Sequence, residues 1–207
     1  MKKKLQINDS DKNLYNLIMK KSLSFIIAIC FAISCFAQEH LSFKGIPITG
    51  SMTDFCNILC KKGFTIIESE NNITMFIGEF TGRNSTVLVG ATEDGESVYA
   101  VTVLFDVSGE WKVLTKTYDY YKEIYTRKYG ETSFCQEKNS AYLESNSALM
   151  AEVNKGTAVW TSQWQPTGGT IELSIEKSDE IFKGMVVIRY RDAKNIEAKK
   201  QRDMEDI

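Results

Sequence analysis

Few residues in this chain are suited to chemistry. Cys56 and Cys60 stand four apart, Cys135 lies well downstream, and His40 is the sole imidazole. On a helix, Cys56-x-x-x-Cys60 would place two thiols on neighbouring turns, half of a metal site. Structural zinc sites draw on two close ligand pairs, and outside the apolar segment 23–36 that holds Cys30 and Cys35, Cys135 and His40 are the one thiol and the one imidazole left to make the second. Cys56 also falls on an apolar stripe, where a thiol behaves as a small hydrophobe; a disulfide involving Cys135 is the alternative. A Ser-His-Asp or Cys-His set would need His40 held within about 3 Å of its nucleophile, from a position close to the start of the folded chain. No catalytic, metal-binding or cofactor-binding residue is assigned on this basis.

Carboxylates are more plentiful. Glu68, Glu70, Glu79, Glu93, Asp94, Glu96, Asp106 and Glu110 could include two that face each other across a glycosidic bond, although solvated turns and polar strand faces are the ordinary places for such residues. Gly78, Gly82 and Gly90 are spaced for strands and turns and precede no helix, so neither a phosphate loop nor a dinucleotide fingerprint is present. Trp160, Ser162 and Trp164 fall on one face of a strand. Either they are buried beneath a helix, or they form an open aromatic platform for a protein or a sugar.

These residues need elements to position them. Ser51 and Asp54 make a capping-box-like start. Met52, Phe55, Cys56 and Leu59 then recur at helical spacing, and Gly63 ends the run. "FTIIES", "ITMFIGEF", "STVLVGAT" and "SVYAVTVLFDV" are rich in β-branched and aromatic residues and are separated by Asn, Gly and Asp turns, which predicts four strands in a meander. A second helix is predicted from Trp111 to Tyr129, stopped by Gly130. Leu114, Tyr118, Tyr121 and Tyr125 form its stripe, widened by Val113, Thr117 and Ile124. A weak strand "ETSFCQE" follows, then a short helix near Ser147 to Val153 and the strands "TAVWTSQW", "GTIELSIEKS" and "GMVVIRYR". In "TIELSIE" apolar and polar residues alternate, the pattern of a sheet with one wet face. The fold predicted is α+β. Two related helix-plus-strands halves, about 41–108 and 109–191, form one antiparallel sheet with the helices on one face.

The compartment is read from "SLSFIIAICFAISCFAQEH", Ser22 to His40. Its apolar run from Leu23 to Phe36 follows Lys20 and Lys21 and is 14 residues long, whereas a spanning helix needs about 20. With the small residues of Cys35-Phe36-Ala37 at its end, it has the form of a secretory signal peptide over 1–37, with Met19 as the true start. Ala32-Ile33-Ser34-Cys35 also loosely fits a lipid-attachment pattern at Cys35, which would tether the chain to a membrane. Cleavage after Ala37 leaves 170 residues: a domain over 38–191 and a charged tail over 192–207. A leader with six lysines and two aspartates is then lost, leaving 19 basic against 25 acidic residues, a net charge of −6. That composition lacks the basic footprint that phosphate neutralisation requires, so nucleic acid is not an expected partner.

The leader ending "CFAQ", the stretch "LSFKGIPITGSMTDFCNILCKKGF" and the closing "GMVVIRYRDAKN" resemble a group of uncharacterised exported proteins of Gram-negative gut bacteria. Their tandem helix-and-sheet layout is similar to that of the beta-lactamase inhibitor protein. The resemblance implies a fold, and a family habit of binding targets across a sheet face. No residue here matches that family's contact positions, so its activity is not carried over. The function expected is a non-enzymatic, exported, periplasmic or secreted module that binds another protein or an envelope component, associated with a membrane only if lipidated at Cys35. The alternative is a small carboxylate-dependent hydrolase acting on polysaccharide or cell-envelope material.

Overall fold

Two runs of strands, each preceded by a helix, set the architecture. The computed structural model describes residues 40–138 and 145–205; the leader, its cleavage site, Met19 and Cys35 lie outside the described residues. The described residues open with a hairpin of β1 (Ser42–Phe43) and β2 (Ile46–Pro47), turned at Lys44 and Gly45, both at positive φ. Helix α1 spans Met52–Lys61, with the Ser51 hydroxyl accepting from the Asp54 N–H as its cap. Strands β3 (Thr65–Glu70), β4 (Ile73–Phe80), β5 (Arg83–Ala91) and β6 (Val98–Phe105) follow as a meander. Asn71 and Asn72, both at positive φ, make the tight β3–β4 turn.

Helix α2 (Trp111–Tyr129) then carries the chain across to the far edge of the sheet, where β7 (Phe134–Lys138) lies. Helix α3 (Asn146–Lys155) is capped by Ser145 and ends at the left-handed Gly156. Strands β8 (Val159–Trp164), β9 (Gly169–Lys177) and β10 (Gly184–Asp192) complete the sheet, and α4 (Ala193–Glu205) follows β10 directly. The charged tail expected over 192–207 is helical from Ala193 to Glu205.

The fold is α+β, with an eight-stranded antiparallel sheet in the order β3-β4-β5-β6-β10-β9-β8-β7. The last strands of the two runs, β6 and β10, pair at its centre with Val187 opposite Leu104 and Arg189 opposite Thr102.

One face carries the core. Phe76, Val87, Val103, Ile188, Leu173 and Ser162 point to it from successive strands and are all fully or almost fully buried. Phe55 and Leu59 of α1, Leu114, Tyr118, Tyr121 and Tyr125 of α2, and Met150 and Val153 of α3 close over it. Ring packing fastens the layers: Phe105 stacks on Tyr121 at 4.7 Å between centroids, and Phe43 on Phe80 at 5.6 Å. The predicted α2 stripe is correct at its centre and too wide at its flank, since Val113 is 51% exposed.

Glycine matters at two close approaches. A Cβ on Gly78 would come within 2.5 Å of the Phe64 ring, which lies against the bare backbone of β4. A Cβ on Gly169 would come within 2.1 Å of the Arg191 carbonyl oxygen, so a side chain there would force β9 away from β10.

Candidate functional site

The aromatic strand face is covered. Across the β8–β9 ladder, Trp160, Ser162 and Trp164 stand opposite Ile175, Leu173 and Ile171, three core residues, and α2 lies above them. The Tyr118 hydroxyl bonds to Ser162 Oγ at 2.6 Å. Trp160 meets Tyr118 and Trp111 edge-on, and Trp164 lies 5.3 Å from the Tyr125 ring. Trp164 and Ser162 are buried and Trp160 is half-buried. The open-platform alternative for Trp160, Ser162 and Trp164 is therefore corrected to core packing, because the Tyr-rich stripe of α2 occupies that face.

The thiols and the imidazole are placed apart. Cys56 is buried on α1, and Cys60, one turn on, is exposed; burial raises the Cys56 thiol pKa, partly offset by a hydrogen bond to Thr74. Cys135 sits on edge strand β7 beside Lys122 (3.4 Å) and Ser162 (3.5 Å). His40 Nδ1 meets Asp192 Oδ1 at 3.1 Å. Among the described residues, no group of three or more His, Cys, Asp or Glu is placed to hold a metal ion.

The eight carboxylates separate into three places. Glu68, Glu70 and Glu79 stand on the sheet, Glu93, Asp94 and Glu96 lie in the β5–β6 turn, and Asp106 and Glu110 flank the entry to α2. The Thr92 hydroxyl, the Glu96 N–H and Arg202 hold the Asp94 carboxyl below its ordinary range. That set ties α4 to the turn through Arg202 and Asp94 at 2.7 Å.

The sheet face turned away from α1, α2 and α3, here the far face, divides into two fields. The ladder registers place Glu68, Met75, Leu88, Thr102, Arg189 and Glu172 in one row across six strands. The neighbouring row runs Thr65, Ile77, Thr86, Leu104 and Val187. Over β8, β9 and β10 the far face is ionic. Arg189 makes a bidentate pair with Glu176 and reaches Glu172 at 3.3 Å, while Arg191 and Gln163 also converge on Glu172.

Burial opposes the charge on Glu176, but bonds from Arg189 and Ser174 outweigh it and hold the carboxyl below its ordinary range. A carboxylate depressed in the fold stabilises fully above its unfolded pKa and loses that contribution as pH falls through the folded one. Glu176→Gln is expected to melt below the parent at neutral pH, with the gap closing below pH ~4.3, the ordinary glutamate value. Thermal melts across that range check it. An equal gap in acid would mean that packing, not charge, sets the difference.

Over β3 to β6 the far face is apolar instead. Ile73 and Ile77 are each 48% exposed, Met75, Leu88 and Leu104 are half-buried, and Ile67 stands exposed at a bulge in β3. A hollow of about 490 Å³, lined by Thr65, Ile77, Thr86 and Asp106, opens at one end. No family model matches this chain, and no curated protein or solved structure does. Aliphatic side chains that remain partly wet, as those on the far face do, are released from water when something covers them.

A signal for this surface was present in "ITMFIGEF". Ile73, Met75 and Ile77 alternate with Thr74, Phe76 and Gly78, so β4 is apolar on both faces.

Proposed function

We propose that this chain is an exported binding module that engages another protein through the far face of β3 to β6. The observation that carries the reading is the aliphatic strip of Ile73, Met75 and Ile77, with Leu88 and Leu104 behind it, on the face away from α1, α2 and α3. Export is supported by the leader pattern over 1–37, with lipid attachment at Cys35 as the variant that would keep the module at the envelope. The resemblance to exported proteins with the inhibitor-like layout points the same way. A duplicated unit is supported by a helix leading four main strands in each half, the second half adding α3 between β7 and β8, and by the mirrored strand order about the β6–β10 pair.

The test is capture from envelope extract with the purified protein, followed by direct binding measurement on the captured partner. Ile73→Ser/Ile77→Ser is expected to weaken that binding by at least about tenfold, as truncation of central interface anchors does. Both side chains are half wet already, so the melting temperature should hold. Undiminished binding by this variant would remove the far face from the function.

A further inference from the structure

We propose that the far face of β3 to β6 receives a protein surface that is apolar at its centre and rimmed by lysine or arginine. This rests on the reading of that face as the binding surface, and adds the character of the partner. The outward positions of these four strands carry three charged residues, Glu68, Glu70 and Glu79, and no lysine or arginine. All three are exposed, and none forms an ion pair with another described residue. Asp106 adds a fourth carboxylate at the rim of the hollow beside Ile77.

The cations on the adjoining half of the sheet do not neutralise this field, because Arg189 and Arg191 are already engaged by Glu172 and Glu176. An apolar strip edged along β3 by Glu68 and Glu70, and at the end beyond Ile77 by Glu79 and Asp106, selects among occupants; Lys44 beside Glu79 bonds its backbone carbonyl and not its carboxylate. Two copies of this face brought together would oppose glutamates to glutamates, which disfavours self-association, since like charges facing one another cost binding. Nucleic acid and anionic lipid carry the same sign and meet the same penalty. A basic-rimmed apolar protein surface satisfies both fields at once, and its approach is speeded by attraction that salt weakens.

The experiment uses protein purified from cells expressing the full chain and two labelled probes. One is an amphipathic helical peptide with leucine on one face and lysine on the other; its counterpart carries glutamate in place of lysine. Fluorescence anisotropy at low and high salt should show the lysine peptide binding more tightly than the glutamate peptide by about tenfold or more at low salt, with the difference shrinking as salt rises. Glu68→Gln/Glu70→Gln/Glu79→Gln should erase that preference without moving the melting temperature, and Ile73→Ser/Ile77→Ser should weaken both peptides.

Equal binding of the two peptides, lost in the isoleucine variant, would overturn the charge inference and leave the binding face standing. Binding that survives the isoleucine variant would overturn both. Concentration-dependent dimers abolished by Ile73→Ser/Ile77→Ser would replace the basic partner with a second copy. The salt titration on the unsubstituted chain decides the charge question even if a variant folds poorly.

Discussion

Trp164→Ala is expected to lower the melting temperature by about 10 °C, through the loss of roughly 3–5 kcal/mol that accompanies truncation of a fully buried large aromatic. The indole is 1% exposed, stands opposite Ile171 in the β8–β9 ladder and lies against Tyr125 of α2. Deleting it opens a cavity at the joint between helix and sheet that neither element can fill, because the sheet is fixed by its ladders. Trp164→Phe separates area from polarity. Among the described residues nothing accepts the indole Nε1–H, so the phenyl ring gives up volume but no hydrogen bond and should retain most of the stability. Differential scanning calorimetry of both variants checks the pair. An alanine variant that melts with the parent and loses a ligand would restore the platform role to Trp160, Ser162 and Trp164.

The contrast between Trp164 and Ile73 shows what could be read from residue order. Local pattern reported local structure well. The α2 stripe of Leu114, Tyr118, Tyr121 and Tyr125 is buried along its length. Gly130 ends that helix at positive φ, and Asn71-Asn72 makes the tight turn that its residue types favour. Period and turn chemistry act over a few residues, and the chain carries them in plain order. The β1–β2 hairpin was missed because strands of two residues have no period to detect; Lys44-Gly45 was its only trace. Strand order within each meander followed from adjacency. The exact β6–β10 register joins residues more than eighty positions apart and is set by packing rather than by local pattern.

The candidate site followed the same division. Trp160, Ser162 and Trp164 were correctly grouped on one face, but which of two faces α2 covers is a tertiary fact. The burial of Ile171, Leu173 and Ile175 opposite them settles it. The far-face strip had a local signature in the doubly apolar β4, visible once the sheet's sidedness is known. The pairing of His40 with Asp192, 152 positions apart, had no local signature: a carboxylate at the end of an apolar strand looks like any solvated strand terminus.

That carboxylate carries the second large effect. Asp192→Ala should cost roughly 3–5 kcal/mol, the range for breaking a buried charged network by removing one partner. Asp192 is fully buried at the end of β10. Its Oδ2 accepts the Leu41 N–H at 2.8 Å, and its Oδ1 accepts the Asn195 N–H at 2.9 Å and faces His40 Nδ1. One carboxylate therefore binds Leu41, just ahead of β1, to the start of α4. Asn195 extends the joint by donating to the Ile48 and Val98 carbonyls. Without the carboxylate, two N–H groups lose their acceptor in a dry site. The arm they anchor includes Phe43, Ile46 and Ile48, all core residues, so its release would uncover apolar area as well. His40→Ala removes only a partly exposed ring and leaves both backbone donors satisfied, so its cost should be much smaller. Chemical denaturation ranks the two variants, and hydrogen exchange at Leu41 and Asn195 locates the damage. If Asp192→Ala proved no worse than His40→Ala, the joint would depend on the imidazole and not on the backbone amides, and the arm would owe its place to packing alone.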